Sequence, residues 1–220
     1  MFTGIVEEVS AIVSRTPRGP GARLVVECSF EALALGESIC VSGVCLTVDA
    51  IVGKSFHADA SAETLQRSTL AHARAGTRVN LERALLPTTR IGGHYVTGHA
   101  DGVAEVLGKS PLGDATELRL SLPPELARFV ASKGSIAVDG VSLTVNEVTG
   151  DSFTVVVVPH TLERTTLRTL RASAAVTLEV DLLARYVERR LAAPGPRVAI
   201  SEKSPEESML YRKLRDGGFL

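Results

Sequence analysis

A repeated tract of eleven residues carries the side chains with the clearest chemical pattern in this sequence. Residues 38–48 read SICVSGVCLTV, residues 135–145 read SIAVDGVSLTV, and eight of the eleven positions are identical. Each copy has a thiol or hydroxyl followed two residues later by a threonine, a spacing that puts both on one face of a strand: Cys45 and Thr47, Ser142 and Thr144. Such a pair at a sheet rim can hydrogen-bond a flat polar heterocycle or a polyol. Repetition kept only for packing is the alternative that these residues leave open.

The positions at which the two copies differ favour the binding interpretation. An ionisable or reactive residue stands in one copy only at several equivalent places: Ser42 against Asp139, Cys45 against Ser142, Gly36 against Lys133, Glu63 against His160, and Ile5 against His99. A duplication kept for packing has no reason to specialise in this way. The pattern therefore predicts two similar sites that bind two similar ligands in different roles.

Motifs that would indicate a metal or a nucleotide are missing. The sequence has no GxxxxGK[ST], GxGxxG or GxSxG segment, which excludes the usual phosphate loops and the hydrolase nucleophile turn. Cys40 and Cys45 lack a CxxC spacing, and His94 and His99 stand five residues apart without a second pair of ligands. The sequence therefore gives no support for a nucleotide-phosphate or zinc site.

Composition and charge narrow the class of protein. The 220 residues carry 24 Lys and Arg against 25 Asp and Glu, a net charge of −1, which argues against a nucleic-acid or anionic-membrane binder. No apolar run approaches the roughly 20 residues that span a bilayer, and the start, MFTGIVEEVS, does not have the features of a signal peptide. Three cysteines cannot all pair within one chain. We expect a cytosolic globular protein with reduced thiols.

The repeat extends well beyond the eleven-residue tract. The same offset of 97 aligns residues 62–70 with 159–167 and 79–83 with 176–180, and residues 2–6 resemble 96–100 at a slightly different offset. Alternating polar and apolar residues with glycine-marked turns predict short antiparallel strands, and hence a small barrel in each unit.

After the second unit the spacing of the apolar residues changes from that of a strand to that of a helix. Asp181 is a candidate N-cap for a helix whose stripe of Leu183, Val187 and Leu191 packs either on its own barrel or on another chain. A capping box at Ser204 predicts a second short helix near the end.

The tracts MFTGIVEE, GVCLTV, IGGHYVTGH, KGSIAVDGVSLTVNEV and HTLERTTL resemble the riboflavin synthase family over about residues 1–190. The resemblance implies an all-β fold of two tandem six-stranded antiparallel Greek-key barrels followed by a C-terminal α-helix. It divides the chain into a lumazine-binding barrel at 1–90, a second at 91–181, and a trimerisation helix with a tail at 182–220. The stripe on the last helix fits the homotrimer that the family forms.

The resemblance also implies a reaction. Riboflavin synthases are transferases that dismutate two molecules of 6,7-dimethyl-8-ribityllumazine, and one molecule gives a four-carbon unit to the other. The products are riboflavin and 5-amino-6-(D-ribitylamino)uracil, in the last step of riboflavin biosynthesis. No cofactor or metal takes part, and lumazine synthase is a candidate partner. The productive site is expected between the first barrel of one chain and the second barrel of a neighbour.

Transferred by motif, the resemblance implies the site residues. The residues expected to take part in catalysis are Phe2, Cys45, His99, Lys133, Asp139 and Ser142, with the proton transfers assigned to His99, Ser142 and Cys45. Lys133 and Asp139 are expected to contact the substrate in the second barrel, Asp139 at the ribityl hydroxyls, and Phe2 to pack near the stacked rings. The expected substrate contacts from the first repeat are Gly4, Ile5, Val6, Cys45, Leu46, Thr47, Asp59, Ala60, Ser61, Ala62, Glu63 and Thr64. Those from the second are Gly98, His99, Ala100, Lys133, Ser142, Leu143, Thr144, Val156, Val157, Val158, Pro159, His160 and Thr161.

Two other functions remain as alternatives. A non-catalytic optical antenna of the same fold would bind one lumazine or flavin in its first barrel and would have lost the binding residues of the second. Here the second copy keeps its binding residues, Lys133, Asp139, Ser142 and Thr144, which favours the enzyme. A barrel that serves only as an interaction module would leave the one-sided polar substitutions unexplained.

Overall fold

The computed structural model describes residues 1–192, 213 and 216–218. The chain divides into two compact units, Met1–Glu188 and Arg189–Leu220. The helix predicted from Ser204 lies outside the described residues, as does most of the predicted tail.

Seven strands and one short helix form the first repeat. The strands are β1 Glu8–Arg18, β2 Gly21–Glu27, β3 Ser38–Val41, β4 Val44–Thr47, β5 Ala50–Val52, β6 Ser55–Ala60 and β7 Arg78–Arg83, with α1 at Ala62–Arg67 and a 3-10 turn at Thr69–His72 after β6. All pairings are antiparallel, in the order β4-β3-β7-β1-β2-β6-β5. In β2 the apolar residues at alternate positions, Ala22, Leu24 and Val26, point into the core.

Six strands form the second repeat and close into a barrel. They are β8 Gly102–Leu112, β9 Ala115–Ser121, β10 Ser135–Val138, β11 Val141–Thr149, β12 Ser152–Val157 and β13 Ala175–Val180, with α2 at Pro159–Arg164 and 3-10 turns at Ala127–Phe129 and Thr166–Thr169. The order around the barrel is β10-β11-β12-β9-β8-β13. Its core is separate from that of the first repeat.

The two repeats correspond element by element. The first two strands align at an offset of 94, and the later strands and α-helices align at 97, because the connection from β9 to β10 is three residues longer than that from β2 to β3 and contains the 3-10 turn Ala127–Phe129. One strand differs: β11 is continuous, whereas its counterpart breaks between β4 and β5 at Val48 and Asp49. The predicted tandem six-stranded barrels are confirmed, since β4 and β5 are the two halves of one interrupted strand. The boundaries near residues 90 and 181 stay a prediction.

The last described helix is α3, Leu182–Ala192. As the sequence predicts, Asp181 caps it, because its Oδ1 accepts a hydrogen bond of 2.9 Å from the backbone N–H of Leu183. Leu183, Tyr186 and Val187 are 62%, 65% and 59% exposed. The apolar stripe is therefore not packed on the barrels of its own chain. No helix among the described residues has the length and apolar character needed to cross a bilayer.

Candidate active site

Two short segments lie side by side between the barrels. Phe2 and Val96 form an antiparallel bridge in which the Phe2 N–H donates to the Val96 carbonyl at 2.7 Å and the Val96 N–H donates back at 3.1 Å. Both side chains are fully buried, in a small cluster with Cys40 and Ala137. Phe2, which the resemblance implies lies near the substrate rings, is buried between the two barrels within this chain.

A buried glutamate anchors each segment to its own repeat. Glu82, in β7, accepts hydrogen bonds from Thr3 N–H at 2.6 Å, Thr3 Oγ1–H at 2.7 Å and Gly4 N–H at 2.9 Å. Glu179, in β13, accepts the equivalent three bonds from Thr97 and Gly98 at 2.7, 2.7 and 2.9 Å. Burial raises the pKa of the Glu82 carboxyl above its usual value, although the bonds from Thr3 and Gly4 act in the opposite direction.

Beyond its anchor, each segment reaches the barrel of the other repeat. The Gly4 carbonyl accepts a bond of 2.8 Å from the N–H of Ser142, in the second barrel. The Gly98 carbonyl accepts a bond of 2.8 Å from the N–H of Cys45, in the first. Val6 accordingly packs on the core of the second barrel, and Ala100 on that of the first. Each barrel rim is therefore completed by the segment that belongs to the other repeat.

Glycine is required where each segment meets the opposite strand. Gly4 and Gly98 have φ of +75° and +77°, in the left-handed region. A Cβ on Gly98 would lie 2.6 Å from the backbone nitrogen of Cys45, and one on Gly4 would lie equally close to Ser142. Because glycine has no Cβ, the segments can approach closely enough for their carbonyl groups to accept these hydrogen bonds.

Gly98→Ala is therefore expected to destabilise the protein by about 2–4 kcal/mol, because it adds left-handed strain to a backbone clash. Denaturant unfolding measures the change. Gly108→Ala is the matched control, since a Cβ there meets nothing within 4 Å and the backbone is not in the left-handed region. Equal stability of the Gly98→Ala and Gly108→Ala proteins would contradict the close approach.

A cavity of about 260 Å³ lies at the rim of the first barrel. Its lining residues are Val44, Cys45, Glu63, Thr64, Arg67, Gly98, His99 and Ala100. A neighbouring cavity of about 410 Å³ shares Glu63, Arg67, His99 and Ala100 with it and extends to Leu182 and Arg185. The structure thus brings together six of the predicted site residues: Cys45, Glu63, Thr64, Gly98, His99 and Ala100.

Other predicted residues of the first repeat lie around this cavity in different environments. Ser61 caps α1, since its Oγ accepts a 3.1 Å bond from the N–H of Thr64. Leu46 and Ala60 point into the barrel core, whereas Thr47 is exposed and Ala62 half-buried. Asp59 pairs with Arg18 and Arg23 on the outside of the barrel.

The second barrel presents the equivalent rim. Ser142 is half-buried, Leu143 is 8% exposed and belongs to the core, and Thr144 points outward. The end of β12 leads into α2 through one residue, and the predicted residues here range from buried to exposed: Val156, Val157, Val158, Pro159, His160 and Thr161. Ile5, 51% exposed, lines an open groove of about 950 Å³ along the first barrel.

Asp139 lies at the interface between the barrels. It is 7% exposed, and its Oδ1 accepts a 2.8 Å bond from the N–H of Thr177, while its carbonyl accepts one of 2.8 Å from Asn80 Nδ2. Burial raises the pKa of its carboxyl to about 7, against the bonds from Thr177. This placement does not favour the predicted contact with ribityl hydroxyls. Lys133 is exposed in the turn before β10, where its N–H donates to the Val145 carbonyl at 2.7 Å.

His94, whose spacing from His99 does not support a metal site, lies next to Ser142 in the structure. It is 9% exposed, and its Nδ1 lies 2.7 Å from Ser142 Oγ. Burial lowers the pKa of its imidazole, against the attraction of Asp181 and Glu179. The signal that could have found it is the pair of glycines before it, since a Cβ on Gly93 would lie 2.7 Å from Ser142 Oγ.

A comparison with known families finds the same duplication. A family model for the lumazine binding domain matches residues 3–84 and again residues 97–181. Each match begins at one of the two anchored Thr-Gly segments and ends just beyond the strand that carries its glutamate. Both copies of the pocket-forming elements therefore fall within the matched regions.

Curated relatives are similar over most of their length. Riboflavin synthase from Photobacterium phosphoreum is 45% identical over 199 residues, which cover 89% of this chain and 91% of the relative. That from Mycobacterium tuberculosis (strain ATCC 25618 / H37Rv) is 44% identical over 201 residues, covering 89% of this chain and 100% of the relative. That from Bacillus subtilis (strain 168) is 39% identical over 221 residues and covers 100% of both.

Solved structures of LumP are also similar. The complex of LumP with 6,7-dimethyl-8-(1'-D-ribityl) lumazine superposes with a TM-score of 0.73 at 25% identity, covering 82% of this chain and 99% of that one. The complex of LumP with riboflavin gives a TM-score of 0.75 with the same identity and coverage.

Proposed function

Because the chain belongs to the riboflavin synthase family, we propose that its active site is formed by two lumazine pockets, one from each barrel, that meet between neighbouring protomers of a homotrimer. Its function is that of a riboflavin synthase. Two molecules of 6,7-dimethyl-8-ribityllumazine dismutate to riboflavin and 5-amino-6-(D-ribitylamino)uracil by transfer of a four-carbon unit.

The observation that carries the proposal is the exchange of segments between the repeats. The first pocket consists of Cys45 and Glu63 of the first barrel with Gly98 and His99. We place the second at Ser142 and the segment that starts at Gly4, which make the equivalent backbone bond. Two pockets of the same design in one chain fit a reaction whose two substrates are identical. The complexes of LumP with the lumazine and with riboflavin support ligands of this class for the barrel.

The chain's own groups then bind and orient the two lumazines. Backbone amides and hydroxyls at the rims hold the heterocycles, and alignment of two reactants supplies about 7–11 kcal/mol of barrier reduction. Cys45 and His99 in the first pocket and Ser142 in the second are the groups that we assign to proton transfer. The remaining substrate contacts are those that the resemblance implies, with Lys133 at the second pocket.

The trimer assignment is supported by the exposed stripe of α3. Leu183 and Val187 lie on one face of the helix and are more than half exposed, so a neighbouring chain would remove apolar surface from water. A cytoplasmic location is supported by three free cysteines, Cys28, Cys40 and Cys45. A partnership with lumazine synthase is supported by the resemblance alone.

Complementation between two inactive variants tests the shared site. Thr64 lines the first pocket, and Thr161 is its equivalent at an offset of 97. We expect Thr64→Trp and Thr161→Trp each to block one pocket and to lower riboflavin formation from 6,7-dimethyl-8-ribityllumazine by about 100-fold or more, because alignment of the pair is lost. Co-expressed as mixed oligomers, the two variants are expected to recover a measurable fraction of activity.

Each outcome has a distinct meaning. Recovered activity requires an intact first pocket on one chain to meet an intact second pocket on another. Mixed oligomers, proved by two affinity tags, that recover no activity would contradict a site shared between chains. Wild-type protein that binds one lumazine per chain without forming riboflavin would instead indicate an antenna, and protein that binds none would indicate an interaction module.

A further inference from the structure

His94 introduces a further difference between the two pockets. Its Nδ1 lies 2.7 Å from the Oγ of Ser142, at the rim of the second barrel. Cys45 is the equivalent residue of the first barrel, and its thiol has no hydrogen-bond partner within the part of the chain that the structure describes. One pocket therefore presents a free thiol and the other a hydroxyl held by an imidazole.

The imidazole is fixed from several sides. Its backbone N–H donates a 3.1 Å bond to the carbonyl of Thr3, in the segment that crosses to the second barrel. Gly93 lets the chain pass close to Ser142, because a Cβ there would lie 2.2 Å from the Thr3 carbonyl oxygen and 2.6 Å from Ser142 Cβ. His94 is 9% exposed. It is thus held against Ser142 by the same segment that completes the second pocket.

The contact between His94 and Ser142 fixes the orientation of the Ser142 hydroxyl. Burial lowers the pKa of the His94 imidazole, which favours the uncharged ring, with one N–H and one lone pair. Its Nε2 is buried without a partner among the described residues, which leaves Nδ1 and Ser142 as its polar contact. A bond through Nδ1 restricts the rotation of the Ser142 hydroxyl. The hydrogen-bonding positions of the hydroxyl that the imidazole does not use then point away from the ring.

Two identical substrates in different roles need pockets that are not identical. We propose that His94 is a positioning residue for the reaction, which orients the Ser142 hydroxyl towards the lumazine in the second pocket and has no counterpart at Cys45. The inference rests on the proposed function, which places Ser142 in that pocket. It adds a residue that touches no substrate and acts through Ser142.

Two substitutions of His94 whose amide groups reach different distances test its contact with Ser142. His94→Asn places an amide near the position of Nδ1, whereas His94→Gln places it near that of Nε2 and leaves Ser142 without its partner. We expect kcat for riboflavin formation to fall about tenfold or more in His94→Gln. His94→Asn is expected to stay within about threefold of wild type. KM is expected to change little in either variant, because the pocket walls stay in place.

A double-mutant cycle separates positioning from structure. In a Ser142→Ala background, His94→Gln is expected to change kcat less than about twofold, because the group through which it acts is gone. Equal loss of kcat in the Asn and Gln variants, or an undiminished effect of His94→Gln in the Ser142→Ala background, would overturn the inference. The wild type in the same assay distinguishes failure of the proposed function from failure of this inference. If it forms no riboflavin, the proposed function and this inference fall together, whereas additive effects in an active enzyme remove the inference alone.

Discussion

Asp139→Asn is expected to remove a pH dependence from the stability of the fold. The pKa of the Asp139 carboxyl rises from 3.8 in the unfolded chain to about 7 in the folded one, because burial disfavours its charge. Between these values the folded state keeps a proton that the unfolded state has lost. The contribution of Asp139 to the stability of the wild type therefore falls as the pH rises from about 4 to about 7, and it is constant above that range.

The expected size of this effect is large. A shift of about three pKa units corresponds to roughly 4 kcal/mol, as an order of magnitude for a fully buried group. Asparagine keeps the acceptor for Thr177 N–H and tolerates the φ of +46° at this position. The difference in unfolding free energy between Asp139→Asn and wild type is thus expected to grow by about this amount between pH 4 and pH 8.

Denaturant unfolding of both proteins at several pH values, at one protein concentration, measures this difference. Other titrating groups cancel because they are common to both proteins. Asp114→Asn, in the exposed turn between β8 and β9, is the matched control and is expected to show a flat difference. A difference for Asp139→Asn that does not change with pH would mean that the carboxyl titrates near its ordinary pKa.

The fold could be predicted from the sequence because its signals are local and occur twice. Alternation of apolar residues in Gly21–Glu27 marks a half-buried strand, and Asp181 marks the start of a helix; both features are found in the structure. The break at Val48 and Asp49 could not be predicted, since the tract aligns without a gap with continuous β11. Duplication helped, because a pattern seen in two copies is better evidence than one.

The site was predicted less completely, and duplication is the reason. Thr3 and Thr97 lie in similar segments, and Glu82 and Glu179 lie in similar strands. Similarity shows that the two sets are equivalent but cannot show to which barrel each segment crosses, because both arrangements have the same local pattern. Long-range pairing of Gly4 with Ser142 is a property of the packed chain.

Asp139 shows a second limit of the sequence. An ionisable residue in only one copy indicates a contact for a ligand, but the same asymmetry also arises where two unequal barrels pack. Asn80 and Thr177 occupy equivalent positions and make unequal contacts across the interface: Asn80 Nδ2 donates to the Asp139 carbonyl at 2.8 Å, and Thr177 Oγ1 lies 2.9 Å from Thr69 Oγ1. Asymmetry in sequence thus marks either a site or an interface, and only burial distinguishes them.

The exchange of segments implies that damage in one barrel acts on the pocket of the other. Glu179 belongs to the second barrel, yet it holds Thr97 and Gly98, and Gly98 lines the first pocket. Glu179→Ala would leave three donors without their acceptor in a site that is 2% exposed. We expect it to destabilise the chain by about 3–5 kcal/mol.

Glu179→Gln is the milder variant for measuring ligand binding. Its amide oxygen can keep the two bonds from Thr97, but its NH₂ group faces the N–H of Gly98, which replaces an attraction with a repulsion between donors. The pockets can be measured separately: in a Thr161→Trp background only the first pocket is open, and in Thr64→Trp only the second. We expect Glu179→Gln to weaken lumazine binding by about tenfold or more in the first background and less than about twofold in the second.

Glu82→Gln is expected to weaken lumazine binding in the second pocket and to leave the first nearly unchanged. Glu82 belongs to the first barrel but holds the segment that reaches Ser142. Glu147→Gln, on the exposed side of β11, is the matched control and should leave both affinities unchanged. If each glutamate variant instead impaired the pocket of its own barrel, the segments would serve the barrels that anchor them. Two crossed losses would show that neither repeat forms a complete pocket alone, which gives a physical reason why both copies stay in one chain.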